Sequence, residues 1–389
     1  MPLAFALRAI LWPNIMKKKI LILTEPTDVH AFAVAEALLQ KGAEPILWYT
    51  ADFPARSCES VLFEQNRIQM DICGLQHGLD LDVDTVWHRR PSFALDQSVL
   101  NPADVKFAEL ETSVFRRSLW SILAPGAFWV NPHDAASRAG RKLLQHDAAV
   151  RTGFEVPDTL YSNDPALIRD FIRRHGNQIV YKPFKALPWR NEETYWVPYT
   201  SVLSEDRLVD DSLLKSTPGI YQALIPKSYE LRVTVMGRRA FAAKVLSQDT
   251  QKGQLDWRKA YDELRMEPFE IPAWLAELCC ELLRQLGLVF GCFDFIVTPE
   301  EKYVFLEVNE MGQFLFIEQY AGVPLLHAFS EFLLQGRLDF EWDESSVAIR
   351  YADVQGRVEV LAAAAARLHA SPADQSLWEG EYRRPSETR

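Results

Sequence analysis

The chain begins with short blocks in which apolar runs alternate with turn-forming residues. Lys19 to Thr24 reads KILILT, an apolar run of strand length bounded by polar residues, and predicts a buried strand. Val29 to Lys41 has a helical pattern and is closed by Gly42, and Ile46 to Tyr49 predicts a second strand. Strand, helix, strand is the opening of an α/β layer. The turn after the first strand, Glu25-Pro26-Thr27-Asp28, lacks glycine, so the dinucleotide-binding fingerprint is absent. Val83 to His88 predicts another strand, followed by Arg89-Arg90-Pro91.

Trp129-Val130-Asn131-Pro132 marks a boundary. Beyond it, Ala135 to Thr152 predicts one helix that carries Lys142 and stops at Gly153. Val156 to Tyr161 and Gln178 to Lys182 predict strands on either side of a helix near Pro165 to His175. From Gly219 the pattern turns strand-rich: YQALI, ELRVTV, then RAFAAKVL. Pro272 to Leu286 predicts a helix with Gly287 past its end, and Trp274, Leu275, Leu278, Leu282 and Leu286 form its core stripe. Two strands and a helix near Pro324 to Gln335 follow. The tail from about Leu338 holds an alanine-rich helix candidate, and its last dozen residues are expected to be disordered.

Composition narrows the class. With 389 residues, 48% of them apolar, the chain is long enough for two or three packed lobes. A net charge of -11 argues against a dedicated nucleic-acid binder, which needs basic stripes. The five cysteines are odd in number and show no C-x-x-C spacing, as expected of reduced thiols in a cytoplasmic protein. No apolar run reaches membrane-span length. Residues 1–15 lack the order of a signal peptide, since Lys17-Lys18-Lys19 follows the apolar part, and Met16 is the expected start.

The richest stretch is Gly291 to Gln313, GCFDFIVTPEEKYVFLEVNEMGQ. Two apolar runs flank the turn-like Pro299-Glu300-Glu301-Lys302. Pairing Thr298 with Tyr303 sets Asp294 opposite Glu307, with Asn309 on the same face and Val304, Leu306 and Val308 on the other. Two carboxylates side by side on apolar strands repel and resist ionising, and a bound divalent cation removes both problems. Two carboxylates and an amide oxygen suit Mg²⁺. Solvent-facing acids on an edge strand are the plainer alternative, and three oxygen donors on one face shift the balance towards metal.

At these residues the chain resembles the ATP-grasp superfamily, and within it the graspetide synthetases, the microviridin-type ligases that close rings in ribosomal peptides. The resemblance is carried by WHRRP at Trp87 to Pro91, WVNP at Trp129 to Pro132, Lys142 followed by GFEVP at Gly153 to Pro157, and YKP at Tyr181 to Pro183. YQALIPKSYELRV, SQDTQKGQLDWR and FLEVNEMGQF continue it in the expected order. The chain departs from the pattern in three places. The segment FKALPWRNEETYWVPYT, where a glycine-rich lid is common, has no glycine and carries Trp189, Arg190 and Trp196. Ala223 stands where an acid is frequent, and Glu310 where a proline is frequent.

The resemblance implies an α/β fold with α+β lobes: an N-terminal α/β pre-ATP-grasp domain at 17–130, a central ATP-grasp lobe at 131–218, a C-terminal lobe with the metal site at 219–337, and a tail at 338–389. It implies ATP and Mg²⁺, with Asp294, Glu307 and Asn309 on the metal and Lys142 and Lys182 on the phosphates. Backbone groups of Ala223 and Ile225, with Gln222, would take the adenine edge and Glu230 the ribose. Arg232 and Arg258 would neutralise phosphate or acyl-phosphate charge. Two alternatives stay open: Glu230 and Arg232 pair with each other, and Arg89 and Arg90 bind a substrate carboxylate or join lobes. Asp256 would orient Arg258 or act as a base.

The implied activity is an ADP-producing ligase that activates a carboxylate as an acyl-phosphate and joins it to a hydroxyl or amine. Its partner would be a peptide, a leader-containing precursor included, with a homodimer compatible and no membrane. A glutathione-synthetase-like ligase and a non-catalytic nucleotide-binding module are the rivals.

Overall fold

The computed structural model describes residues 17–72, 82–184, 189–190, 195–196 and 200–370. The expectations for residues 1–15, for Cys73 and for the final residues lie outside these, as do the side chains of Trp189, Arg190 and Trp196. The chain divides into two compact units, Met1–Asp134 with Leu326–Arg389, and Ala135–Leu325.

The first unit is built on a parallel sheet. Strands β1 (Lys19–Thr24), β2 (Glu44–Tyr49), β5 (Thr85–His88) and β6 (Phe128–Val130) lie in the order β2-β1-β5-β6. A separate antiparallel hairpin joins β3 (Glu59–Glu64) and β4 (Arg67–Ile72). Asp28 explains the glycine-free turn after β1. Its carboxylate caps the helix Val29–Gln40 by accepting the His30 N–H at 3.1 Å, and it also pairs with Arg89 at 2.9 Å. Arg90 meets Glu25 at 3.0 Å, so both arginines of the WHRRP stretch are committed to acids of their own unit. The helices Leu325–Gln335 and Tyr351–Leu368 bring the C-terminal chain to this unit. Thr85 donates to the Leu333 carbonyl at 2.9 Å, and His369 and Ala370 both bond Asp52.

The second unit holds two antiparallel sheets and a short strand pair. The four-stranded sheet comprises β7 (Thr159–Ser162), β8 (Ile179–Lys182), β11 (Ser201–Leu203) and β12 (Gly219–Ala223) in the order β11-β8-β12-β7. β12 lies just past the expected lobe boundary at 218, yet it belongs to this sheet. β9 (Trp189–Arg190) and β10 (Tyr195–Trp196) pair antiparallel as backbone. The five-stranded sheet comprises β13 (Tyr229–Met236), β14 (Arg239–Val245), β15 (Met266–Phe269), β16 (Phe290–Val297) and β17 (Tyr303–Asn309) in the order β15-β14-β13-β16-β17.

Alternation gives the five-stranded sheet one apolar and one polar face. Leu231, Val233, Val235, Phe293, Phe295, Val297, Phe305 and Val308 pack into a core with Leu275, Cys279, Leu282, Leu283 and Leu286 of the helix Ala273–Leu286. Trp274 does not belong to that helix's buried stripe, being 52% exposed. Cys279 and Leu283 complete the stripe instead.

Two further sequence expectations fail in this unit. The single helix expected over 135–152 is two, His133–Ala139 and Lys142–Thr152, interrupted at Gly140 and Arg141. The break makes Lys142 the first residue of its own helix, so its ammonium leaves from the end that attracts anions. The hairpin count also fails. Val297, not Thr298, pairs with Tyr303, and Thr298–Lys302 forms the loop, with Glu301 in the left-handed region at φ 58°. A β-bulge between Asp294 and Phe295 then shifts the register by one residue and restores Asp294 opposite Glu307. The bulge turns Phe305 into the core, and Val304, paired with Ile296, joins the opposite face. Strict alternation would have put the Phe305 ring beside the carboxylates.

Candidate active site

Register assembles the site on the polar face of the five-stranded sheet. Arg232 on β13 is opposite Asp294 on β16, which is opposite Glu307 on β17, while Cys292 faces Asn309. Glu230 lies two residues from Arg232 on the same face. The three expected oxygen donors therefore share one face of adjacent strands. Asn309 accepts the Met311 N–H on Oδ1 at 3.0 Å, and an amide oxygen retains a second lone pair. Gly312 packs on Cys292, where a Cβ would sit 2.3 Å from Sγ, so only glycine closes this turn. Among the described residues, no group of three or more His, Cys, Asp and Glu stands together as a metal site; the candidate set is two carboxylates and an amide.

Cations crowd these acids. Arg232 reaches both oxygens of Asp294 at 2.5 Å and donates to the Gln313 carbonyl at 3.4 Å. Lys142 donates to Glu307. The two carboxylates respond in opposite directions. Burial pushes the Asp294 carboxyl up, the Glu307 charge adds to that, and Arg232 only partly opposes them. Burial also resists ionisation of Glu307, but Lys142, Lys182 and Arg232 outweigh it and hold its carboxyl at about 2. One acid is thus firmly charged while its neighbour is strained against charge, the condition a divalent cation relieves. Among the described residues, these hard oxygen donors fit Mg²⁺.

The four-stranded sheet presents its own polar face. Thr159, Lys182 and Gln222 fall on the side opposite the core formed by Ile168, Phe171, Ile172, Ile179 and Tyr221. Lys182 donates to Gln222 Oε1 at 2.8 Å, and Gln222 donates onward to Thr159 Oγ1 at 3.0 Å. Burial and the nearby charge of Lys142 lower the pKa of Lys182, despite the attraction of Glu307. The Ala223 N–H is already given to the Asp158 carbonyl at 2.9 Å. Of the backbone groups expected to read adenine, that donor is taken.

Glu230 and Arg232 do not pair with each other. Glu230 Oε1 accepts from Lys227 at 2.6 Å, and Lys227 also donates to the Leu255 carbonyl at 3.3 Å. Arg258 is held by Asp256 through two side-chain bonds of 2.8 and 2.6 Å, so Asp256 has the orienting role. The side chain of Arg258 remains half exposed.

Solved structures share this architecture. A RiPP-associated ATP-grasp ligase from Chryseobacterium gregarium, in complex with ADP and a leader and core peptide, matches with a TM-score of 0.74 and 26% identity over 84% of this chain and 100% of its own. Macrocyclase MdnC from Microcystis aeruginosa MRC, bound with precursor peptide MdnA, matches with a TM-score of 0.70 and 25% identity, covering 82% of this chain and 99% of its own. Macrocyclase MdnB from the same organism matches with a TM-score of 0.66 and 28% identity, covering 81% and 99%. This chain has the ATP-grasp fold. No protein-family model matches the sequence, and neither does any curated protein.

The candidate site contains residues that sequence patterns did not single out. Gln145 and Lys227 act through hydrogen bonds to backbone groups or to neighbouring side chains. Lys227 stands three residues before Glu230 and carried a usable signal as a cation beside a candidate acid. Gln145 carried none, because its partners are main-chain atoms of Ala139 and of a remote strand.

Proposed function

We propose that the chain is a Mg²⁺- and ATP-dependent ligase that activates a carboxyl group of a peptide as an acyl-phosphate and joins it to a hydroxyl or amine of that peptide. The observation that supports this most is the polar face on which Asp294 and Glu307 stand opposite each other, with Lys142 and Arg232 in contact with them. The fold shared with RiPP-associated ligases supports the peptide as substrate.

In this reading Asp294, Glu307 and Asn309 hold Mg²⁺, which when bound neutralises and orients nucleotide phosphate. Lys142 and Lys182 contact phosphate oxygens, with Lys182 presented by the Gln222–Thr159 pair. Arg232 and Arg258 balance charge that grows as phosphate transfers, and Asp256 keeps the Arg258 fork fixed. Gln222, the Ala223 carbonyl and Ile225 face the adenine. Glu230, steadied by Lys227, accepts from the ribose. Catalysis is then positioning and electrostatic stabilisation, with no enzyme nucleophile. No helix among the described residues is long and apolar enough to cross a membrane, and a cytoplasmic location belongs to the same proposal.

The test is ADP release from MgATP, with and without peptides that carry acidic and hydroxyl or amine side chains, followed by mass analysis of the peptide. The expected result is peptide-stimulated ADP release with loss of one water per new bond. Failure of MgATP either to turn over or to raise the melting temperature would overturn the reading.

A further inference from the structure

We infer that Gln145 is a positioning residue that fixes the edge strand β17, so that Glu307 and Asn309 keep their places on the site face. The inference rests on the metal-dependent reading above and concerns what holds the proposed ligands, not the ligands themselves.

β17 is the outer strand of its sheet, so one row of its backbone groups has no strand partner. Buried groups of that kind need partners from elsewhere. Val308 stands between Glu307 and Asn309 with its side chain in the core. Both of its backbone groups are met by one side chain: Gln145 Oε1 accepts the Val308 N–H at 3.0 Å, and Gln145 Nε2 donates to the Val308 carbonyl at 2.7 Å. The second Nε2 hydrogen goes to the Ala139 carbonyl at 2.9 Å, and Gln145 is 2% exposed. Its side chain therefore imitates a neighbouring strand for one residue.

The location decides the role. The bulge that brings Glu307 opposite Asp294 lies between Phe305 and Glu307, where an extra residue makes the register easy to slip. The Phe305 N–H is bound to the Glu155 carbonyl at 2.8 Å on one side of the bulge, and Gln145 binds Val308 on the other. A slip of one residue would turn Glu307 to the apolar face. Gln145 also stands on the first turn of the helix that begins with Lys142, the partner of Glu307. One helical turn thus places a phosphate-side cation and locks the strand that bears two metal donors. Glutamate at 145 could accept from Val308 but could donate to neither carbonyl, and methionine could do neither.

Gln145→Met and Gln145→Glu separate this role from general stability, with Leu282→Ala, a deletion in the core behind the sheet, as the control. Hydrogen exchange of the segment covering β17 is followed in protein free of nucleotide and metal. The Mg²⁺ concentration for half-maximal ADP release is measured at saturating ATP. Gln145→Met is expected to speed exchange in β17 and to raise the Mg²⁺ requirement on the order of 10–100-fold, the usual cost of losing a group that orients a ligand. Gln145→Glu should fall between, and it carries the test should Gln145→Met not fold. Leu282→Ala should lower the melting temperature with the Mg²⁺ requirement unmoved. Unchanged β17 exchange in the Gln145 variants, or an unchanged Mg²⁺ requirement in enzymes that still release ADP, would overturn the inference. A wild-type protein without Mg²⁺-dependent ADP release would instead overturn the functional reading, and the exchange data alone would then decide the clamp.

Discussion

Arg116 in the first unit and Lys142 in the second each pair with a glutamate, yet the two pairs have different surroundings. Arg116 and Glu59 have side chains only 1% exposed. The guanidinium also lies 5.0 to 5.4 Å from the rings of Trp48, Phe53 and Trp120 and donates to the Ser92 carbonyl at 3.2 Å. Three aromatic rings, a carboxylate and backbone carbonyls surround it, as in a structural pair. Lys142 and Glu307 are 30% and 42% exposed, and a second carboxylate stands opposite the first. Its neighbours include Arg232, in contact with Asp294, and Lys182. A closed pair holds the fold together. An open cluster, with like charges left adjacent, keeps capacity for a ligand at some expense to stability.

The largest expected effect tests the open cluster. Glu307→Gln should cut ADP release on the order of 10²–10³-fold, with the melting temperature of the nucleotide-free protein unchanged or raised. A fall in melting temperature with activity retained would erase the contrast. The closed pair should behave in the opposite way. Arg116→Met leaves Glu59 buried without its partner, and should cost the first unit about 3–5 kcal/mol in denaturant unfolding. The KM for ATP of the folded fraction should stay as in wild type.

Much of the open cluster was legible in the sequence, and for a physical reason. Asp294, Glu307 and Asn309 interrupt apolar strands, where an acid has no structural purpose, so their positions stand out. Their pairing emerged from a count that began one residue off at Thr298, and the bulge near Leu306 compensated. Bulges leave no mark in apolar alternation, which is also why Val304 lies on the opposite face from the one expected. The break at Gly140 hid inside an otherwise continuous helical pattern, because a lone glycine is tolerated within helices. The closed pair was not legible at all. Glu59 and Arg116 are 57 residues apart, and nothing local to either indicates burial.

Smaller effects sharpen the comparison. Lys182→Met, which in the proposed reading removes a charge-assisted contact to phosphate, should raise the KM for ATP about tenfold, with kcat less affected. Burial pushes the Glu59 carboxyl up to about 7, only partly opposed by Arg116. Because that value lies above the unfolded one, the protonated form favours the fold. Stability from this group is complete below the ordinary glutamate range and is lost as pH rises through 7. Unfolding followed between pH 5 and 8 should show a decline of about 2–3 kcal/mol, absent in Glu59→Gln.

The most direct measurement is a crystal of the protein grown with Mn²⁺ and a non-hydrolysable ATP analogue, with the metal located by anomalous scattering. The account predicts a peak within about 2.5 Å of side-chain oxygens of Asp294, Glu307 and Asn309, in contact with nucleotide phosphate. A metal bound elsewhere, or a nucleotide whose phosphates lie away from this face, would contradict it.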